Sequence, residues 1–220
     1  MRSLGLRISL VAILLTSCAS ARILPVLTFD FFIQAASDDP WNQKIQNWQS
    51  RHHLDPASRG EAVGDISSLG EAYLEFERDM RRRVAADTVT WVQERSKDHY
   101  RPDGRRDHWA TLGEVMESGG DDCDGLDLMT FVLLRRLGFK DTEIFRAILV
   151  EDGTAQHHMV TLWFESGEAE DPFILDPTGV VTPIMVRLSD IPTWEPIELF
   201  DEASHFAVRP STRLPEVASE

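Results

Sequence analysis

The spacing of hydrophobic positions along the chain changes once, near residue 140. Before that point, hydrophobic residues recur every three or four positions, which predicts amphipathic helices. These helices are expected over 41–51, 68–96, 111–118 and 123–137. After it, short runs rich in β-branched and aromatic residues predict strands. The strands are expected over 143–150, 157–164 and 173–175, with a further hairpin over 197–208. Helices followed by strands indicate an α+β fold with an antiparallel sheet.

Helix starts can be located more closely. Ser68 is followed by Glu71 at the spacing of a capping box, in which side-chain and backbone groups satisfy each other. Thr111 and Glu114 repeat this pattern. The helix that starts at Cys123 has apolar residues on almost every side, so we expect it to be the central, buried helix.

Composition and charge narrow the functional classes. The chain has 220 residues, of which 42% are hydrophobic and 27% charged, as in a globular domain. Its formal net charge of -15 repels phosphate backbones, which argues against nucleic-acid binding. The basic run 81–83 lies within a predicted helix, where we expect it to pair with nearby acids on a solvated face.

The first 17 residues have the features of an export signal. A positively charged start precedes the apolar run 8–15, which is too short to span a bilayer and suits a signal-peptide core. The sequence Leu-Thr-Ser-Cys then ends at Cys18 and resembles the bacterial lipobox, in which the cysteine receives a lipid. Cleavage within 19–21 is the alternative and would give simple secretion.

The chain is therefore predicted to have four segments. They are a signal peptide over 1–17, a tether over 18–40, a single domain over 41–208 and a loose tail over 209–220. Alanine rather than aspartate follows Cys18, which favours a periplasmic protein held at the outer membrane of a two-membrane bacterium.

Cys123 is the candidate nucleophile. It stands at the start of the predicted buried helix, where free backbone N–H groups and the helix dipole stabilise a thiolate. Its neighbours Asp121, Asp122 and Asp124 make the surroundings polar. This favours a reactive cysteine over the alternative, an inert buried one.

A thiol nucleophile needs a base, and the base needs an orienting group. Side chains alternate along a strand, so His157 and His158 point to opposite faces. His158 shares its face with Val160 and Leu162, which we expect to pack on the cysteine helix, and is therefore the favoured base. Asp176 follows the next strand and lies beside His158 if the two strands pair antiparallel, which makes it the candidate orienting group.

Together these residues resemble the bacterial transglutaminase-like cysteine peptidases, which include the LapG-type periplasmic proteases that act on surface adhesins. The matching pieces, within about residues 105–178, are His-Trp-Ala-Thr over 108–111 with Glu114, Gly-Asp-Asp-Cys-Asp over 120–124, Leu-Leu-Arg-Arg-Leu-Gly over 133–138, His-Met-Val over 158–160 and Leu-Asp over 175–176. The resemblance implies a papain-like transglutaminase core, in which a buried helix carries Cys123 as nucleophile. That helix packs on an antiparallel sheet that carries His158 as base and Asp176 as its orienting group. Where the family usually reads Asp-Cys-Glu-Asp-Tyr, residues 122–126 have one carboxylate fewer, because Gly125 replaces an acid.

The predicted function is an exported thiol hydrolase, a cysteine peptidase or amidase that cuts a peptide or amide bond through an acyl-enzyme on Cys123. Its expected substrate is a protein or peptide of the cell envelope, and its expected membrane contact is a lipid on Cys18. Two alternatives stay open. An amine in place of water as acceptor would make the protein a transglutaminase, and a non-catalytic envelope-binding protein would keep the same fold as a scaffold.

The acids beside Cys123 conflict with a thiolate there. A carboxylate about 4 Å away opposes the thiolate by roughly 4 kcal/mol at an effective dielectric of about 20, whereas the helix terminus returns only about 0.3–2 kcal/mol. A cation bound by carboxylate oxygens would relieve the conflict, and the resemblance implies calcium. On that alignment Asp122 and Asp124 are the candidate ligands, and Asp121 and Asp127 are weaker ones. The alternative role of Asp121 or Asp122 is to cap the helix.

Overall fold

The computed structural model of the chain describes residues 35–59, 64, 66–105, 107–154, 156–165 and 170–209. The predicted signal peptide, Cys18, the tether up to residue 34 and the tail from residue 210 lie outside these ranges. Within them, no helix combines the length and the hydrophobicity needed to cross a membrane. The chain divides into two compact units, Met1–Gly64 and Asp65–Glu220.

The described part of the first unit is mainly one helix. Helix α1 spans Asn42–Leu54, close to the predicted range, and a 3-10 turn follows at Ala57–Arg59. The helix entry is fixed by Asp39, whose Oδ1 accepts a hydrogen bond of 2.8 Å from the backbone N–H of Trp41. No residue of α1 is buried.

Three helices open the second unit, as predicted. They are α2 at Ser68–His99, α3 at Leu112–Ser118 and α4 at Cys123–Arg136. The capping box of α3 is confirmed: Thr111 Oγ1 accepts from the N–H of Glu114, and the Glu114 carboxylate accepts from the N–H of Thr111.

The capping box predicted for α2 at Ser68 is wrong by one position. Ser67 has the extended backbone of an N-cap residue, and its side chain accepts a hydrogen bond of 3.4 Å from the N–H of Gly70. Ser68 is already helical. The two serines are adjacent, and only the backbone dihedral angles separate the cap from the first helical residue.

The strands form a single antiparallel sheet, which confirms the α+β class. They are β1 at Ile144–Glu151, β2 at His157–Trp163, β3 at Phe173–Leu175, β4 at Val186–Arg187, β5 at Trp194–Phe200 and β6 at His205–Ala207. Their order across the sheet is β4-β3-β2-β1-β5-β6, and every neighbouring pair is antiparallel. The two-residue strand β4 was too short for the sequence pattern to reveal.

Hydrophobic clusters cover both faces of the sheet. One contains Phe131 and Leu134 of α4 together with Trp163 of β2. The other contains Val160 and Leu162 of β2 and no residue of α4. The prediction that Val160 and Leu162 pack on the cysteine helix is therefore wrong, because β2 is buried on both sides and alternation alone cannot say which side faces the helix.

The basic run in α2 pairs with acids, as expected. Arg81 donates to Glu143, with Nη2 and Oε2 2.5 Å apart. Arg82 contacts Glu165 through Nε and Nη2, at 2.8 and 2.6 Å. Both acids are buried, so these pairs attach the middle of α2 to the sheet rather than forming a basic surface.

Candidate active site

Cys123 is the first residue of α4, and its side chain is partly exposed. The residue before it, Asp122, is the N-cap, and its Oδ1 accepts a hydrogen bond of 3.1 Å from the N–H of Asp124. The capping role considered for Asp122 is thus present. The thiol lies where backbone N–H groups point out of the helix, which favours negative charge on sulfur and on an oxygen bound beside it.

A backbone bridge holds this end of α4 against the end of α2. Asp121 N–H donates to His99 O at 3.2 Å, and Arg101 N–H donates to Asp121 O at 3.0 Å. Gly120 makes the approach feasible: its φ is 153°, and a Cβ there would lie 2.1 Å from His99 O. Only glycine fits at this position.

His158 and Asp176 form a buried pair. Nε2 of His158 lies 2.9 Å from Oδ1 of Asp176, and their side chains are 5% and 0% exposed. Thr178 Oγ1 also contacts Nε2, at 3.2 Å. Because Asp176 and Thr178 both occupy Nε2, the other ring nitrogen, Nδ1, remains for the thiol of Cys123.

The Asp176 carboxylate is held by the loop that follows β3. Oδ1 accepts from the N–H of Thr178 at 2.9 Å, and Oδ2 accepts from the N–H groups of Val181 and Thr182 at 2.6 and 3.1 Å. Gln93 of α2 supports this loop, since its Nε2 donates to Asp176 O at 2.8 Å and to Thr182 O at 3.2 Å. The carboxylate therefore has a fixed orientation.

The pKa values of this pair move in opposite directions. Burial acts to lower the pKa of His158, but hydrogen bonds with Asp176 and Cys123, and the charges of both, raise it to about 9. Burial acts to raise the pKa of Asp176, but His158 and the backbone N–H groups of Thr178 and Thr182 hold it below its ordinary value. The pair thus favours an imidazolium beside a carboxylate, which is the state needed to stabilise a thiolate.

Three acids that neighbour Cys123 in the sequence form a cluster. Oxygens of Asp121, Asp122 and Asp124 all lie within 4.8 Å of one another. Burial, then a hydrogen bond with Asp122 and the charges of the neighbouring acids, raise the pKa of Asp124 to about 8. Burial is also the main cause of the raised pKa of Asp121.

Gly125 makes room for one of these acids. A Cβ at residue 125 would lie 2.1 Å from Asp121 Oδ2 and 2.5 Å from Asp121 Cβ. The carboxylate of Asp121 therefore occupies the space that a side chain at residue 125 would fill. The observed position of Asp121, four residues earlier, thus requires a glycine at residue 125.

The acid cluster fits a calcium ion. Asp121 Oδ2 and Asp124 Oδ1 are buried and have no hydrogen-bond partner within the described chain. A buried carboxylate oxygen without a partner is costly unless it is protonated or binds a cation. Hard oxygen ligands of this kind are those that calcium prefers.

Asp127 has a different role from the one considered. Its two oxygens accept from Arg146 Nε and Thr161 Oγ1, both at 2.7 Å, and Arg146 Nη2 also donates to Asp124 O at 2.6 Å. The Asp127 side chain is fully buried in this network. It therefore links α4 to β1 and β2 and is not a calcium ligand.

His158 and Asp176 lie together, as the antiparallel pairing of β2 with β3 implies, and Cys123 lies close enough to His158 to raise the pKa of the imidazole. Sequence reasoning missed Gln93 and Arg146, which lie on elements far apart in the chain and follow no motif. It also missed Tyr100, at the end of α2, whose pKa is raised by burial and then by the nearby charges of Cys123 and Asp122. His157, next to the candidate base, is exposed.

Comparison with known proteins finds similarity to solved structures. No protein-family model matches the chain, and no curated protein matches it significantly. Similar solved structures include LapG from Legionella pneumophila, which is 18% identical, with a TM-score of 0.47 over 60% of this chain and 76% of its own.

Two further structures of the same protein are similar. The EGTA-treated form is 17% identical, with a TM-score of 0.48 over 60% of this chain and 75% of its own. The calcium-bound form is 19% identical, with a TM-score of 0.47 over 78% of this chain and 93% of its own. All three TM-scores lie below 0.5, so the residues of the chain itself carry the argument for what it does.

Proposed function

We propose that the protein is an exported thiol hydrolase with a papain-like transglutaminase core, which cleaves a peptide or amide bond in an envelope protein or peptide. The single observation that carries this proposal is the buried His158–Asp176 pair, 2.9 Å apart, beside a cysteine at a helix N-terminus. A pair that only stabilised the fold would have no need of a neighbouring, partly exposed thiol.

The first half of the reaction forms an acyl-enzyme. His158 holds the proton of Cys123, and the thiolate attacks the substrate carbonyl carbon to give a tetrahedral oxyanion. Backbone N–H groups at the start of α4 would bind that oxyanion. The C–N bond then breaks as His158 gives its proton to the leaving amine, which leaves a thioester on Cys123.

The second half releases the acid. His158 removes a proton from water, the hydroxide attacks the thioester carbonyl, and the C–S bond breaks to return the thiolate. Asp176 fixes the tautomer and orientation of His158 in both halves, and its buried, multiply hydrogen-bonded carboxylate is suited to that task. Water is the proposed acceptor because it is the most concentrated nucleophile.

Calcium is proposed as a bound ion beside the cysteine. Asp122 and Asp124 would hold it, with Asp121 as a third ligand in the space opened by Gly125. The ion would neutralise carboxylate charge that otherwise opposes a thiolate. It does not replace the roles of His158 and Asp176.

The protein is proposed to work in the periplasm, attached by a lipid on Cys18, most favourably at the outer membrane. The lipobox sequence supports this location. Replacing Cys18 with alanine should release the protein into the soluble fraction and abolish labelling by a fatty-acid probe. Unchanged fractionation, or a mature N-terminus at Arg22, would indicate simple secretion.

The enzyme proposal is tested by comparing new N-termini among envelope proteins in cells that carry the wild-type chain, Cys123→Ala or His157→Ala. Fragments should appear with the wild type and with His157→Ala, because His157 is exposed and outside the pair. They should be absent with Cys123→Ala. Fragments that persist with a stably expressed Cys123→Ala chain would contradict the proposal and favour the binding-protein alternative.

A further inference from the structure

Helix α1 carries an exposed aromatic face. Trp41, Ile45 and Trp48 follow one another at the spacing of one side of a helix, and they are 61%, 46% and 54% exposed. Two exposed tryptophans on one short helix indicate an interaction surface, because soluble proteins rarely expose large apolar side chains together.

Basic groups accompany this face. Lys44 lies three residues after Trp41, with Nζ 4.8 Å from the centre of its ring. Arg51 lies three residues after Trp48, whose ring stacks on His52 at 5.0 Å. The helix contains no acidic residue, although the whole chain has a net charge of -15. The nearest described acids, Asp38, Asp39 and Asp55, lie beyond its ends.

We propose that this face of α1 docks on an anionic lipid bilayer surface. Tryptophan is suited to the boundary between headgroups and acyl chains, because its ring is apolar and its N–H is polar. Lysine and arginine beside it can keep their charges at the phosphates while their stems lie along the lipid. The other side of α1 is mostly uncharged amides, which stay in water.

Charge separates α1 from the second exposed apolar stripe of the chain. The first part of α2, residues 69–77, exposes Leu69, Tyr73 and Phe76, and Phe76 is 61% exposed, as Trp41 is. This part carries three acids, Glu71, Glu75 and Glu77, and no basic residue. An anionic surface repels these acids, so lipid is the favoured partner of α1 and not of α2.

This inference is independent of the proposed catalysis and of a lipid on Cys18. The test uses the full chain with Cys18→Ala and vesicles of phosphatidylethanolamine with phosphatidylglycerol, some with brominated acyl chains. Residues 1–40 contain no tryptophan, so the quenched emission comes from tryptophans at residue 41 and beyond. Quenching of the wild-type emission is expected, and Trp41→Ser/Trp48→Ser should remove most of it.

A second variant keeps the tryptophans and removes the charges. Lys44→Gln/Arg51→Gln should lower the affinity for these vesicles by about tenfold or more and should leave the weak binding to phosphatidylcholine vesicles unchanged. Phe76→Ser is the matched control and should bind as the wild type does.

Three results would overturn the inference. They are quenching that is unchanged in Trp41→Ser/Trp48→Ser, equal loss of binding in Phe76→Ser, and a wild-type dimer in solution that becomes monomeric in Trp41→Ser/Trp48→Ser. The last result would show that a second copy of the chain covers the face.

Discussion

Two groups of side chains near Cys123, the His158–Asp176 side and the acid side formed by Asp121, Asp122 and Asp124, are built differently. On one side, the Asp176 carboxylate accepts hydrogen bonds from His158 and from three backbone N–H groups. On the other side, Asp121 and Asp124 each have a buried oxygen with no partner in the described chain. The protein alone supplies hydrogen-bond partners for the carboxylate of Asp176, but within the described chain it does not do so for these oxygens of Asp121 and Asp124.

The two sides would therefore influence the ionisation of the Cys123 thiol in different ways. The His158–Asp176 side supplies positive charge through a proton, and the fold itself fixes its geometry. The charge of the acid side opposes a thiolate, and the proposed calcium ion would neutralise that charge. Variants on the two sides should therefore differ in their effects on activity, calcium binding and stability, and the largest expected effect comes first.

Removing the base should have the largest effect. His158→Ala should lower the rate at which the natural fragment appears by about 10³-fold or more, because the thiol then lacks a proton acceptor. Asp176→Asn should cost a comparable factor by favouring the wrong tautomer. His157→Ala, the matched control, should retain most activity. Equal loss in the two histidine variants, with both folded by circular dichroism, would break the assignment.

Removing a proposed calcium ligand should have the next largest effect. The chelator-treated wild type should bind calcium in calorimetry, and Asp124→Asn should weaken that binding at least about tenfold, since a charged ligand is lost. Glu117→Gln, on the exposed surface of α3, should bind as the wild type does. No binding by the wild type at millimolar calcium, with activity insensitive to chelator, would refute the calcium site.

Adding a side chain at residue 125 should lower both the stability of the protein and its affinity for calcium. In Gly125→Ala the new Cβ meets the Asp121 carboxylate and must displace it, which should destabilise the protein by about 1–3 kcal/mol and weaken calcium binding. Gly113→Ala, in α3, has its nearest atom 4.0 Å away and should be neutral or slightly stabilising. Thermal unfolding with and without calcium measures both effects, and equal behaviour of the two variants would contradict this view of Gly125.

The pH dependence of stability should be the smallest effect. The pKa of Asp124 is raised from 3.8 to about 8, so the calcium-free native state keeps a proton that the unfolded state loses, and stability falls as pH rises through this range. The pKa of His158 is raised from 6.5 to about 9, so the stability it contributes is complete below 6.5 and is lost as pH rises through 9.

The Tm of the chelator-treated protein should therefore fall by several degrees between about pH 6 and pH 9. Asp124→Asn should reduce the slope, and calcium should reduce it as well, because a bound cation removes the need for the proton. A slope that is the same in Asp124→Asn would show that the acid side is not the source of the effect.

Local patterns in the sequence were sufficient for much of the architecture. The Thr111–Glu114 box sets the start of α3, and the turn of Gly119, with φ of 75°, ends it. The position of Cys123 at the start of α4 and the antiparallel pairing of β2 with β3 also followed from short-range signals. These features depend on residues close together in the chain, which is where spacing is informative.

Features that depend on distant residues could not be predicted in this way. The Asp127–Arg146–Thr161 network joins three elements and contains no motif. The side of β2 that faces α4 depends on what covers the other side, and that information lies in β5 and the loops around it. The position of the Asp121 carboxylate beside Gly125 could not be predicted either. It depends on the path of the backbone between these two residues, which lie four positions apart.

The placement of the acids has an evolutionary consequence. All three come from the short stretch 121–124, whereas the nucleophile, base and orienting group come from three separate elements. Substitutions in two or three neighbouring codons would therefore alter the proposed calcium site without altering His158 or Asp176. Under this proposal, relatives of the chain are expected to vary in their dependence on calcium more readily than in Cys123, His158 and Asp176.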